Sequence, residues 1–262
     1  MNDTPSTPAV GVHKQGHVAI VEIRRPPHNY FDAAMIQGIA DAFEALEGDA
    51  ACRAIVLCAQ GTAFCAGANF ATRDAAPPQK SPRAVNPLYF EAIRLVACTK
   101  PVIAAVHGPA IGGGLGLALA ADFRVTCAEA RFSANFNRLG IHPGFGLSYM
   151  LPRLVGQQQA SLLFYTGRRI AGEEAVRIGL ADQLVPQPEV RSKAIELAEE
   201  IAASSPVAVQ STRSTLRAGL VEQFRLAVAR ESIEQNIHFE TEDFQEGVRA
   251  MSERRMPRFK GY

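Results

Sequence analysis

The chain has no excess of charge: its 262 residues carry 27 Lys and Arg against 26 Asp and Glu, a formal net charge of +1. That leaves no basic footprint for nucleic acid and no attraction to an acidic membrane surface. It also lacks a long hydrophobic run. The longest stretch of apolar and glycine residues falls far short of the ~20 needed to span a bilayer. Cysteines are few, at positions 52, 58, 65, 98 and 127, with no Cys-x-x-Cys and no Cys/His spacing of a metal site. Four of them sit among apolar or small neighbours, as buried thiols of a reducing compartment do. His13 and His17 are four apart, but the second opens a strand pattern, so no metal pair is expected. The N-terminal "MNDTPSTPAV" has no basic-then-apolar signal pattern. These absences lead us to expect a soluble cytoplasmic protein without a metal, with neither nucleic acid nor membrane as partner.

What is present is ordinary globular composition, 47% hydrophobic and 20% charged, enough for one large domain or a domain with an extension. Residues 1–10 read as a loose tail. "HVAIVEIRR" (17–25) alternates and reads as a strand. Asp32 is a candidate N-cap for a helix through about Leu46. "RAIVLCAQ" (53–60), "PVIAAVHG" (101–108) and "FRVTCA" (123–128) read as further strands, with a helix over about 88–98. The polar, proline-rich 71–87 reads as a mobile loop or lid. From Gly146 the pattern is helical: 146–155, 157–166, 172–179, 189–204, 206–218 and one long helix over about 221–254. Strands alternating with helices, then helices alone, predict an α/β core with a C-terminal helical extension.

"GPAIGGGLGLALAAD" (108–122) puts three adjacent glycines where a helix should begin. The first N–H groups of a helix have no intrahelical partner and carry the positive end of its dipole. Glycines there let an anion or a developing oxyanion approach, although a tight packing turn would also need them. The stretch is neither a P-loop nor a dinucleotide fingerprint, since no Lys-Ser/Thr follows and G-x-G-x-x-G is missing. A second loop of small residues, "FCAGANF" (64–70), also follows a buried strand.

Phe64-Cys65-Ala66-Gly67-Ala68-Asn69 and His107-Gly108-Pro109-Ala110-Ile111-Gly112-Gly113-Gly114 resemble, in order, the two loops of the crotonase (enoyl-CoA hydratase/isomerase) superfamily. The resemblance continues through "ARFSANFNRLGIHPGFG", "YTGRRIAGEEAVRIGLADQLVP" and "MPRFKG", and covers the chain from about residue 15. It implies an α/β fold: a ββα spiral core over 1–200 and a C-terminal α-helical oligomerisation region over 201–262. It implies a homotrimer or a dimer of trimers, and an acyl-CoA thioester as ligand. Coenzyme A is then part of the substrate, and no separate cofactor is expected. The backbone N–H groups of Ala68 and Gly113 would form an oxyanion hole for the thioester carbonyl. His28, Ala66 and Phe70 become candidates for CoA contacts, and Lys260 for a phosphate bound to a neighbouring subunit.

The same resemblance shows departures. Gly116 and Phe136 stand where the family's hydratases carry their two glutamates, and Gly144 where some isomerase and dehalogenase branches carry an acid. Hydration needs a base for water and an acid for Cα, so an efficient hydratase is not expected. With Gly116 facing Phe136, a larger and more apolar acyl pocket is expected. His142 is the candidate replacement acid/base. Asn135 and Asn137 are candidates for orienting substrate or water. Tyr89 and Glu91 are placed to reach the pocket mouth, and His107 is expected to be structural. Ser133 and Ser148 have no evident His/Asp partners. Three readings stay open: an acyl-CoA enzyme with altered acid/base residues, a non-catalytic acyl-CoA-binding protein, and a C–C bond hydrolase or lyase using His142.

Overall fold

The computed structural model describes residues 8–69 and 85–262. Six strands form the main sheet: β1 (Val10–Gln15), β2 (Val18–Ile23), β3 (Ala54–Ala59), β4 (Val102–Val106), β6 (Phe123–Thr126) and β9 (Gln183–Leu184). Their order is β1-β2-β3-β4-β6-β9, parallel throughout except for β1, which pairs antiparallel with β2. A second sheet of three short strands, β5 (Ala110–Ile111), β7 (Arg131–Ser133) and β8 (Arg169–Ala171), lies beside it. The tail expected over 1–10 ends sooner, because Val10 already pairs with Ile23. Residues 1–7 and most of the expected loop 71–87 lie outside the described residues.

The helices α1 (Ala33–Glu47) and α2 (Pro87–Ala97) pack on each other, and α1 also packs on β1 and β2. The helix α6 (Val190–Ala202) packs against β2, β3, β4 and β6. All six residues of β2 are buried. The alternating pattern in its sequence therefore does not separate core from solvent, since the strands of a parallel sheet are covered on both faces. Glu22 survives there because Arg24 and Arg191 hold its two carboxylate oxygens at 2.8 and 2.6 Å. Asp32 caps α1 as expected, accepting from the Met35 N–H at 2.8 Å. All five cysteines are buried and unpaired.

The remaining helices are α3 (Gly113–Ala120), α4 (Leu147–Thr166), α5 (Gly172–Arg177), α7 (Pro206–Leu216), α8 (Leu220–His238) and α9 (Glu242–Ser252). The two helices expected around residue 156 meet in α4, where Gly156 leaves helical angles (φ 77°, ψ 158°). The long helix expected over 221–254 is two. Thr241 breaks it, its hydroxyl donating to the His238 carbonyl at 2.7 Å and accepting from the Phe244 N–H at 3.1 Å. One side chain thus ends α8 and caps α9.

Candidate functional site

The two small-residue loops are stitched together by backbone hydrogen bonds. Cys65 N–H donates to the Pro109 carbonyl and Ile111 N–H to the Cys65 carbonyl, both at 3.0 Å. Ala66 N–H donates to His28 O, Phe31 N–H to Gly67 O and Gly112 N–H to Ser133 O. The loops come so close that a Cβ on Gly114 would overlap the Cys65 carbonyl. At Gly112 the chain turns from β5 into α3 with φ 55° and ψ −122°, angles that glycine adopts without strain. Among the described residues this lattice of bonds uses the amides of 65, 66, 111 and 112 but not those of Ala68 and Gly113. Gly113 is the first residue of α3, so its N–H has no intrahelical acceptor and lies at the positive end of the helix.

Ala68 and Gly113 line a cavity of about 950 Å³. Asn135 and Phe136 line it as well, from the 3-10 helix Asn135–Leu139. Other walls come from Phe31, Tyr89, Phe145 and Gln235, and from Phe244 and Val248 of α9. Phe244 and Val248 fall within the one long helix expected over about 221–254. The break at Thr241 turns them toward the cavity of their own chain. The rings of Phe31 and Phe145 lean together, 5.6 Å apart at 49°.

Gly116 does not line the cavity. A Cβ there would stand 2.8 Å from both Cβ and Cδ1 of Phe145, so the space opened by the missing side chain is already filled by that ring. The expected enlargement at Gly116 does not occur. Phe145 is held in place by an unusual backbone, with φ 61°, followed by Gly146 at φ 72°. Glu231 of α8 fastens this turn. Its carboxylate accepts from the Gly146 N–H (2.7 Å), the Ser148 N–H (2.9 Å) and the Ser148 hydroxyl (2.6 Å). Full burial pushes its pKa up to about 7, against these three hydrogen bonds.

His142 does not line the cavity either. Its backbone N–H donates to Nδ1 of His238 at 2.9 Å, and its own Nδ1 lies 2.8 Å from the Pro143 carbonyl. The two rings stack at 6.5 Å, and burial together with His142 lowers the His238 pKa. Asn137 also points elsewhere, donating to the Tyr165 carbonyl at 2.7 Å. Neither side chain is among those that line the cavity.

His28 and Ala66 remain neighbours through their backbone bond, but only Ala66 lines the cavity. Phe70 lies outside the described residues. Lys260 pairs with Glu242 at 3.0 Å, away from this chain's cavity. Glu91 pairs with Arg94 on the outer face of α2. His107 contacts the Gly61 carbonyl at 3.1 Å. Ser133 faces the Gly167 and Arg168 carbonyls. Among the described residues no cluster of His, Cys, Asp and Glu could hold a metal, and no helix is long and apolar enough to cross a membrane.

One carboxylate, Asp32, is found among the described residues lining the cavity. It is exposed at the rim, with Oδ2 paired to Arg25 at 2.7 Å and Oδ1 accepting from Met35. Burial works to raise its pKa, but Arg25 and the Met35 N–H outweigh that and hold it below the usual carboxylate range. It stays charged and paired at neutral pH. Tyr89, expected at the pocket mouth, lines the cavity, whereas the polar lining residues Asn86, Gln235 and Gln245 escaped the sequence reading. A signal for Gln235 exists. The buried stripe Leu220, Phe224, Val228 of α8 continues through Glu231, Ser232 and Gln235, so a stripe of core residues turns polar as it nears the cavity.

The enoyl-CoA hydratase/isomerase family model matches residues 13–262. YngF, a putative enoyl-CoA hydratase/isomerase of Bacillus subtilis, is 35% identical over 252 residues, covering 95% of this chain and 96% of its own. A short-chain-enoyl-CoA hydratase of Clostridium acetobutylicum is 33% identical, covering 93% and 94%. The crystal structure of an enoyl-CoA hydratase/isomerase from Pseudoalteromonas atlantica superposes with a TM-score of 0.87 at 28% identity, over 97% of this chain and all of the other. By its sequence and by the fold that carries the two stitched loops, this chain belongs to the enoyl-CoA hydratase/isomerase (crotonase) family.

Proposed function

We propose that the chain is an acyl-CoA enzyme that binds the thioester carbonyl between the Ala68 and Gly113 N–H groups and stabilises an enolate there. The observation that carries this reading is the pair of amides left unused by the loop lattice, both on the wall of one cavity. Enolate formation moves negative charge onto the thioester oxygen, and two fixed donors meet it without reorganising. The acyl group would lie among Phe136, Phe145 and Phe244.

Simple hydration is not part of the proposal. The cavity's one described carboxylate is paired with Arg25, so no acid/base couple stands ready for water and Cα. The same fact favours a second reading, a non-catalytic acyl-CoA-binding protein. The hydrolase or lyase reading loses its support, because His142 lies off the cavity. We further propose self-association as a trimer or a dimer of trimers. Supporting it, α7 has no buried residue, and Val207 and Leu216 are 77% and 75% exposed.

The test is binding of butyryl-CoA against free CoA, to the wild type and to Gly113→Pro, with far-UV circular dichroism as the folding control. Proline at the first helical position removes the donor. Its Cβ would also meet the Phe31 ring, 2.4 Å away, so Gly113→Ala, which adds the same Cβ and keeps the donor, is the packing control. The wild type should prefer the thioester, and the variant should lose that preference. Losing one such donor in a catalytic site costs ~3 kcal/mol of barrier, so any turnover should fall by about two orders of magnitude. An unchanged preference and rate in a folded variant would remove this site.

A further inference from the structure

Gln235 lies on the cavity wall with only 5% of its surface exposed. Two neighbours fix its amide. Oε1 accepts from the Tyr89 hydroxyl at 2.7 Å, and Nε2 donates to the His142 carbonyl at 2.9 Å. A carbonyl oxygen can only accept, so the end facing His142 must be the nitrogen. The Tyr89 hydroxyl has no hydrogen left to donate to a ligand, because its one hydrogen goes to Oε1. Gln235 has more. Its nitrogen carries two hydrogens, and among the described residues one is used.

Gly144 exposes that nitrogen. A Cβ there would stand 2.6 Å from Nε2 and would overlap the Tyr89 hydroxyl, and Gly144 itself lines the cavity. Phe136, Leu139, Phe145 and Phe239 also line the cavity, and none of them can accept a hydrogen bond through its side chain. A buried donor with no acceptor is costly, and a ligand oxygen relieves that cost. We infer that Gln235 is a specificity-determining residue whose second Nε2–H donates to an oxygen on the acyl chain. The preferred substrates are then hydroxy- or oxo-acyl thioesters rather than plain alkanoyl ones. Tyr89 acts as a positioning residue, since its hydroxyl holds Oε1 and so aims Nε2. This rests on the acyl-CoA reading above.

The experiment is calorimetric titration with four CoA thioesters of one chain length: butyryl, β-hydroxybutyryl, γ-hydroxybutyryl and acetoacetyl. At least one oxygenated thioester should bind the wild type about 5- to 10-fold tighter than butyryl-CoA, the range of one neutral hydrogen bond. Gln235→Met should bring that ratio to about 1. Tyr89→Phe should also reduce the ratio, a change that an equal weakening of all four thioesters through general loss of structure would not produce. Equal binding of all four by the wild type would overturn the inference and leave the acyl-CoA site standing. So would an oxygen preference retained in Gln235→Met. Failure of every thioester, butyryl-CoA included, would overturn the site and the inference together.

Discussion

The ring of Phe145 occupies the space in which a side chain on Gly116 would begin, with Cβ and Cδ1 both 2.8 Å from that point. Two effects then compete in Gly116→Ala. Alanine gains ~1 kcal/mol over glycine inside a helix. Overpacking a buried site costs ~1–3 kcal/mol. Phe145 is 2% exposed and lies against Phe31, with its backbone held between Gly144 and Gly146, so it has little room to yield. We predict a net loss of about 1–2 kcal/mol in urea unfolding. In a Phe145→Gly background, which removes both of those atoms, the same change should be neutral or stabilising. A wild-type background in which Gly116→Ala stabilises would show that the ring gives way.

A related expectation concerns restoring carboxylates. Gly116→Glu combined with Phe136→Glu puts acids where the resemblance places those of hydratases, but the first collides with Phe145. The double variant should be poorly folded or inactive toward crotonyl-CoA, and the added Phe145→Gly, which removes both colliding atoms, should be needed before any hydration appears. Hydration by the double variant alone would contradict the placement of that ring.

Glu231 predicts a pH dependence of stability. Its folded pKa of about 7 lies above the ordinary glutamate value, so the folded state holds its proton more tightly than the unfolded state. The resulting stabilisation is present in full below about pH 4.5 and is lost as pH rises through about 7, by roughly 3 kcal/mol from this group alone. Urea unfolding should therefore show Glu231→Gln losing less stability than the wild type between pH 5 and pH 8. Parallel profiles for the two proteins would show that the carboxylate is charged throughout.

Assembly offers a separate check. With Val207 and Leu216 exposed on a helix that has no fully buried residue, light scattering should give a trimer or hexamer at micromolar concentration. Val207→Glu with Leu216→Glu should shift the population toward monomer. A wild-type monomer would count decisively against self-association.

Much of the fold could be read from local chemistry. Asp32 announced the start of α1, and buried runs such as "AIVLCA" announced the parallel strands. Short elements could not be read, because β5 has two residues and β7 and β8 three each, too few for any periodicity. The loop amides could be foreseen, since a bare backbone donor needs only small side chains nearby. The walls of the cavity could not. Whether the gap beside Gly116 is empty depends on Phe145, 29 positions on, and Gln235 meets Tyr89 across 146 positions. His142 drew notice as a titratable group near a pocket-lining segment, yet the fold turns it toward His238. Proximity in sequence does not say which way a side chain faces.

The central claim is a thioester site without a hydratase's acid/base pair, and crotonyl-CoA tests both halves in one experiment. Its binding and its hydration should be measured on the same purified wild-type protein. We predict saturable binding, preferred over free CoA, with hydration slower by at least ~10⁴-fold than in a family member carrying both carboxylates, since each general acid or base contributes ~10²–10⁴-fold. Hydration at an ordinary hydratase rate would contradict the account, and so would failure to bind the thioester at all.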